Sequence, residues 1–179
     1  EKTHLAALFG VKMPTGKTSR RSDQGQRLEL EFQPGSGSWD GLMGLAFTQG
    51  FGRFSFTSSV LYTLVTEGEQ HTDLGDIVSY NAGLVYRAYG DTQEYYAPPK
   101  FSLDLIAEVN GEWREKEKTH GDYNDNSGGN LVYISPGIRM GIANFASLGF
   151  SFGIPVVKDT NGDQVEPDYR MVGTASIFW

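Results

Sequence analysis

The residues of this chain that could do chemistry are charged side chains separated by even numbers of positions within stretches that are otherwise rich in apolar residues. Between Phe101 and Glu115, the carboxylates Asp104, Glu108 and Glu112 alternate with apolar residues, and Arg114 follows them. A β-strand directs alternate side chains to opposite faces, so these carboxylates share one face of a predicted strand. Such a row can select solutes that pass through a channel. It can also be structural, because buried charges are tolerated only when they are paired.

The same two-residue period places basic residues on the neighbouring predicted strands. Counting through the adjacent turns puts Arg87 and Arg139 beside Asp104, one on each side, and this predicts two ion pairs. The charged residues that we expect to line a polar lumen are Lys12, Arg87, Asp104, Glu108, Glu112, Arg139 and Arg170.

Eight segments with this period must position those side chains. They are Leu5–Met13, Trp39–Thr48, Arg53–Thr66, Ile77–Tyr89, Phe101–Glu115, Asn130–Ile142, Phe145–Val157 and Tyr169–Trp179. The segments are long enough to cross a membrane as tilted strands, whereas strands of globular domains cluster near about 5 to 6 residues. The links after the first, third, fifth and seventh segments are long and charged, and two of the other three are short. Outer-membrane barrels have this arrangement of external loops and periplasmic turns.

Aromatic residues near the predicted strand ends indicate where membrane interfaces would lie. The predicted girdle consists of Trp39, Tyr62, Tyr80, Trp113, Tyr169 and Trp179. The polar faces carry serine, threonine and glycine, whereas a water-facing sheet of a soluble sandwich would carry many lysines and glutamates. We therefore predict an all-β fold, an antiparallel transmembrane up-and-down β-barrel with eight strands, as one domain over residues 1–179. The expected location is the bacterial outer membrane, with both termini periplasmic.

Composition limits the classes of function. The chain has 179 residues and a formal net charge of −7, which gives no basic footprint for nucleic acid. It has no cysteine, and therefore no thiolate ligand or nucleophile. No apolar run approaches the roughly 18 residues of a transmembrane helix. The 23 glycines, 11 phenylalanines, 9 tyrosines and 3 tryptophans, with only 39% hydrophobic residues, are typical of a barrel whose strands each present one polar face.

The predicted outer loops contain two further groups of chemically capable residues. His71 with Asp73 and Asp76, and His120 with Asp122, would suit a hydrolase at the outer rim, although loop polarity alone explains them. Residues 159–163 resemble the start of a calcium loop, but the glycine comes fourth instead of sixth, so Asn161-Gly162 is interpreted as a hairpin turn. Arg27 to Gln33 is compatible with a strand extension. We expect no catalytic, cofactor-binding or metal-binding residues, no cofactor, and no enzyme activity.

Two motifs resemble a known family. Residues 10–16 read G-V-K-M-P-T-G, and residues 33–40 read Q-P-G-S-G-S-W-D. Both resemble segments of the outer-membrane "transporter" family named after the MetA pathway of phenol degradation. The resemblance implies outer-membrane passage of small, aromatic or hydrophobic, molecules through a polar lumen. Members carry further hairpins before the first motif, so the chain either closes with eight strands or belongs to a barrel of about 12, which would lack its N-terminal strands here.

The expected partners are outer-membrane lipid, lipopolysaccharide and small-molecule solutes, with no nucleic acid. Two alternatives to passage stay open: a small structural or adhesive barrel with a plugged lumen, and the outer-rim hydrolase. Strand number separates the first alternative from a channel, because an eight-stranded interior is only wide enough to be filled by side chains.

Overall fold

Eight long antiparallel strands form one sheet in a computed structural model of the chain, which describes residues 2–90, 101–143 and 145–177. In chain order the strands are β1 (Lys2–Lys12), β2 (Asp40–Phe51), β3 (Phe54–Leu64), β4 (Thr72–Asp73), β5 (Ile77–Tyr89), β6 (Ser102–Arg114), β7 (Lys118–Thr119), β8 (Asp122–Tyr123), β9 (Gly129–Ile142), β10 (Ala146–Thr160) and β11 (Arg170–Ile177). Two short 3-10 helices, Leu30–Phe32 and Glu69–His71, lie in the long connections. Within the described ranges, no helix is long and apolar enough to cross a membrane.

The large sheet is a meander in which each long strand pairs with the next long strand along the chain. Its order is β1-β2-β3-β5-β6-β9-β10-β11, and β4, β7 and β8 form a separate three-stranded sheet within the long connections. All these pairings are antiparallel. The antiparallel eight-strand arrangement predicted from the sequence is therefore correct, whereas the short strands β4, β7 and β8 were not predicted.

The prediction of a sheet closed into an eight-stranded barrel is wrong for the described part of the chain. The two edge strands, β1 and β11, each pair on one side only and do not pair with each other. Alternation of side chains decides which face a residue occupies, but it does not decide how far a sheet curves. Closure depends on tilt and on the stagger between strands, which are properties of the whole sheet.

The sheet nevertheless bends toward one face. Arg170 on β11 donates a 2.7 Å hydrogen bond to Asn110 on β6, although β9 and β10 lie between the two strands. Three strand spacings amount to roughly 14 Å in a flat sheet, which exceeds the combined reach of an arginine and an asparagine side chain. The face that carries Asp104, Glu108 and Asn110, called the polar face below, is therefore concave.

Burial in this sheet is inverted relative to a globular protein. Among the described residues, the buried hydrophobic side chains are Leu30 and Val65, and neither belongs to a long strand. The buried polar ones are Ser36, Ser38, Asp40, Thr72, Asp104 and Ser135. Large apolar residues of the opposite face, such as Leu105, Val109 and Ile154, are exposed. The sheet thus keeps polar groups inside its concavity and presents a broad apolar face outward.

Two sequence interpretations of the connections are wrong. The segment from Arg27 to Gln33 does not extend a strand; Gln33 instead donates to the carbonyl of Leu28 at 2.8 Å and holds the loop against itself. Asn161-Gly162 is not a tight hairpin turn, because β10 runs to Thr160 and β11 begins only at Arg170. Asn161 donates its amide to the carbonyl of Ser127 instead, at 3.0 Å, so a neighbouring loop decides its conformation. Most of the predicted linker Gly90–Lys100 (residues 91–100) and Asn144 of the predicted Ala143–Asn144 turn lie outside the described residues.

Candidate functional site on the polar face

The most buried charge of the sheet is Asp104, which is 2% exposed. It pairs in register with Arg87 on β5 and with Arg139 on β9. Arg139 donates to one carboxylate oxygen through Nη2 at 2.9 Å and Nε at 3.1 Å, and the guanidinium of Arg87 binds the same carboxylate from the other side. The predicted pairing of both arginines with Asp104 is confirmed. One anion thereby joins three consecutive strands.

A row of side-chain hydrogen bonds crosses the polar face near its middle. Asn110 donates to Asn81 at 3.1 Å, and Asn81 donates to Ser59 at 3.3 Å. The carbonyl oxygen of Asn110 accepts from Ser135 at 2.9 Å and from Arg170 at 2.7 Å. This amide row, defined as Ser59, Asn81, Asn110 and Ser135, follows the cross-strand register from β3 through β5 to β6. It then reaches β9 diagonally, because Ser135 lies opposite Glu108 and Tyr133 lies opposite Asn110.

Arg170, the predicted polar-face residue of β11, is oriented by an aromatic ring as well as by Asn110. Its guanidinium carbon lies 4.6 Å from the centre of the Tyr133 ring. A cation over a ring face is attracted by the quadrupole of the ring. The alternation placed both asparagines and Tyr133 on the polar face but did not single them out as site residues, because uncharged residues at inward positions carry no signal that distinguishes them from ordinary strand residues.

Glu108 lies on the same face as Asp104 but has different surroundings. Its register neighbours are Gly83 and Ser135, neither of which is charged. No cationic side chain of the described residues lies within ion-pair distance of it. It borders a hollow of 240 Å³ together with Asn81, Asn110 and small side chains of β2 and β3, including Ala46 and Thr57. Glu112, by contrast, accepts from Arg114 of its own strand at 3.3 Å.

Lys12 lies at the end of β1, apart from the other charged residues of the polar face. It forms an ion pair with the buried Asp40 and donates to Ser36 at 2.7 Å. Ser36 and Ser38 are hydrogen-bonded at 2.7 Å, and both are buried. This cluster explains the two sequence motifs, since the lysine of the first motif binds the serines and aspartate of the second.

Two glycines allow those motifs to meet. A Cβ added to Gly35 would lie 2.6 Å from the Cα of Gly16, and one added to Gly16 would lie 2.7 Å from the Cα of Gly35. Both obstacles are backbone atoms, which cannot move aside as a side chain can. The P-T-G and Q-P-G segments are therefore in direct backbone contact, and this contact requires glycine at both positions.

Neither histidine–aspartate set considered for a rim hydrolase is joined by a histidine–aspartate hydrogen bond within the described residues. Nδ1 of His71 is hydrogen-bonded to Oε1 of Glu67 at 2.9 Å, and the His71 ring packs against His120 with ring centres 5.3 Å apart. Asp73 accepts from the amide of Gly75 at 2.9 Å, and Asp76 accepts from the amide of Val65 at 2.8 Å. Both aspartates therefore stabilise their own loops.

The long connections also contain a hollow of 390 Å³, bordered by His120, Asp122, Thr72 and Glu117 among others. In the described residues, no group of three or more histidine, aspartate or glutamate side chains could hold a metal ion. Nearby, a hydrogen bond from Lys116 lowers the pKa of the Asp125 carboxyl group. Hydrogen bonds to Tyr123 and Glu115 raise the pKa of Lys118.

The predicted aromatic girdle is largely at one end of the apolar face. Tyr62 and Trp113 lie in one cross-strand row with Val78 between them. The Tyr80 ring covers Gly111, the residue opposite it, and its hydroxyl group donates to Asn130 at 2.8 Å. The exposed Trp39 and Tyr169 precede β2 and β11, and Tyr169 stacks on Phe152 at 5.8 Å. Trp179 lies outside the described residues.

A second aromatic cluster, which sequence reasoning missed, lies at the other end of the strands. Phe51 stacks on Phe54 with ring centres 5.9 Å apart, and Phe54 contacts Tyr86 at 5.0 Å. Phe54 and Tyr62 are eight residues apart on β3, which corresponds to roughly 27 Å along the strand. Phenylalanine is common throughout the strands, so only the cross-strand register distinguished these three residues from the others.

These features define an all-β protein with a concave polar face, an exposed apolar face and aromatic clusters at both ends. The chain belongs to the family described as "Putative MetA-pathway of phenol degradation", whose sequence profile matches residues 1–161. The predicted family is therefore confirmed, and its description refers to phenol degradation. No curated protein matched the chain in a sequence comparison.

Proposed function

We propose that this protein is a β-barrel of the bacterial outer membrane through whose polar interior small, aromatic or hydrophobic, molecules pass. The observation that carries the proposal is the inverted burial of the sheet. Asp104 of β6 and Ser135 of β9 are buried, whereas Leu105 and Val109 on the other side of β6 are exposed. Hydrocarbon is the solvent that suits such an apolar face, and water or a polar solute suits the concave one.

The spacing of the aromatic clusters supports the same proposal. A strand tilted by about 40° that runs roughly 27 Å between two aromatic rows spans close to the height of the apolar band of outer-membrane barrels. The long connections 13–39, 65–76, 115–128 and 161–169 all fall at one end of the meander. We therefore assign that end to the cell exterior, beside lipopolysaccharide, and the strand ends at Lys2 and Ile177 to the periplasmic side.

The open edges of the sheet bear on how wide the barrel is. In a membrane, the unpaired amide and carbonyl groups of β1 and β11 would each be several kcal/mol unfavourable, so both edges must find partners. We propose that further strands complete a barrel of about 12, because an eight-stranded interior would be filled by its own side chains. The concave hollow of 240 Å³ beside Glu108 favours a wider interior over a plugged one.

The proposed activity is passage without catalysis and without a cofactor. Planar-bilayer recordings of the full-length protein, refolded into lipid, test it directly. Ohmic openings, and faster swelling of vesicles loaded with small aromatic solutes, are the expected results. A protein that folds and inserts but stays silent in both assays would contradict passage, and would favour the structural or adhesive barrel with a plugged lumen.

A further inference from the structure

Among the carboxylates of the polar face, Glu108 has surroundings that suit an external cation. We propose that Glu108 and the hollow beside it form a binding subsite for single-ring solutes that carry an ammonium group. The inference rests on the proposed function, because it names a class of solute that the polar interior would favour. Its argument depends on the charges of the face, the space beside Glu108 and the hydrogen-bonding capacity of its neighbours.

The other carboxylates of the polar face each have a cationic partner within the described residues. Asp104 is bound by two guanidinium groups, Glu112 by Arg114, and Asp40 by Lys12. Glu108 has no such partner there, although it is partly withdrawn from solvent inside the concavity. A cation that reaches this partly withdrawn carboxylate gains more than it would from a fully exposed one.

The space beside Glu108 results from small side chains on three strands. Ala46 and Thr57 border the hollow from β2 and β3, and Gly83 lies directly opposite Glu108 on β5. A Cβ at Gly83 would lie 3.3 Å from Cγ of Glu108 and 3.1 Å from Oγ1 of Thr57, so glycine keeps the approach open. The hollow measures 240 Å³. A cavity of about 150 Å³ accepts benzene, and the available space therefore admits a single ring with a short substituent.

The neighbouring polar groups determine which charge is favoured. The Asn110 carbonyl oxygen already accepts from Ser135 and Arg170, and its amide donates to Asn81. Arg170 is directed to Asn110 and to the Tyr133 ring. The hollow therefore offers a carboxylate acceptor without a matching cationic donor among the described residues. An ammonium group complements that arrangement, whereas a carboxylate solute would be repelled by Glu108.

Binding of benzylammonium, benzyl alcohol and benzoate to the refolded full chain tests the proposal by isothermal titration calorimetry. Glu108→Gln is compared with Glu112→Gln, which removes a carboxylate from the same strand and face. We expect Glu108→Gln to weaken benzylammonium binding by about tenfold or more, because a charge-assisted hydrogen bond is lost. Glu112→Gln should change it by less than about twofold, as expected for an exposed pair. Benzyl alcohol should bind all three proteins equally, and benzoate should bind to neither the wild type nor Glu112→Gln, because both retain the Glu108 carboxylate.

Equal affinity of benzylammonium for the wild type and Glu108→Gln would overturn the proposal. Ala46→Leu is a second, independent variant that fills the hollow and leaves Glu108 in place. It should abolish binding of both benzylammonium and benzyl alcohol, and unchanged binding would also overturn the subsite. If Glu108→Gln does not fold, as judged by circular dichroism, Ala46→Leu decides the question.

Calorimetry does not depend on passage, so the two proposals fail separately. If benzylammonium binding depends on Glu108 but the protein is silent in bilayers, the proposal of passage is contradicted and the proposal of the subsite is supported. If the protein conducts but benzylammonium binding does not depend on Glu108, only the proposal of the subsite is contradicted.

Discussion

Arg139 donates two hydrogen bonds to the carboxylate of Asp104, at 2.9 and 3.1 Å, across the pair formed by β9 and β6. Arg87 binds the same carboxylate from β5. The attraction between the buried anion and the two cations offsets the cost of burying the anion. Removal of the anion therefore leaves two positive charges close together. The first prediction follows from this arrangement.

Asp104→Asn should lower the free energy of unfolding by about 3 kcal/mol, the lower part of the range for a broken buried pair, since both arginines retain some access to solvent. Urea-induced unfolding in lipid vesicles, followed by tryptophan fluorescence, measures the change. Glu112→Gln is the matched control, and its exposed pair with Arg114 should contribute at most about 1 kcal/mol. A similar loss for both variants would contradict the assigned role of Asp104.

Arg170 holds the edge strand β11 to the amide row. Arg170→Met removes its hydrogen bond to Asn110 and its contact with the Tyr133 ring. The expected destabilisation is about 1–2 kcal/mol, because both interactions involve a charged group that is partly solvated. Hydrogen exchange should accelerate at the amides of β11 before those of β6.

Arg114→Met is the control for that exchange measurement. It also removes a guanidinium from the polar face, but its partner Glu112 is on its own strand. Exchange in β11 should stay unchanged in this variant. Equal protection of β11 in the wild type and Arg170→Met would show that the strand is held by its backbone ladder alone.

The contact between Gly16 and Gly35 predicts an unusually sensitive loop. Gly35→Ala should lower stability by about 1–3 kcal/mol, because the added methyl group meets backbone atoms and the two motifs must separate. Gly173→Ala is the control, since a Cβ at Gly173 meets nothing within 4 Å. It should change stability by less than about 0.5 kcal/mol. Equal thermal midpoints for the two variants would contradict the backbone contact.

Neighbouring residues on β3 distinguish a lipid-facing sheet from a water-facing one. Val60 is exposed on the apolar face, and Ser59 belongs to the polar face. If the apolar face contacts lipid, Val60→Arg should lower the free energy of unfolding in vesicles by about 2–4 kcal/mol, and Ser59→Arg should have a much smaller effect. The measurement is refolding into vesicles at graded urea concentrations. A negligible effect of Val60→Arg would contradict the proposed membrane location, because arginine is harmless on a face in water.

The period of two along the chain was sufficient to predict the strands and their faces. Ile77–Tyr89 was predicted with its observed ends, and the ends of the other long strands that lie in the described residues were within three residues. The pairing of Asp104 with Arg87 and Arg139 was also predicted, by counting along the alternating faces of the three neighbouring strands. The position of a strand and the faces of its side chains depend on local geometry, so each stretch of sequence contains the information for its own strand.

Only the tertiary structure decided the features that depend on residues distant in the chain. The bend that brings Arg170 to Asn110, the contact of Gly16 with Gly35 and the absence of a described partner for Glu108 each join segments with no shared local pattern. The open edges belong to the same class, because alternation is identical in a closed and an open sheet. The amino-acid sequence by itself therefore determined which side chains face inward. The curvature and packing of the whole sheet decided which of those inward groups bind each other and which remain available to a solute.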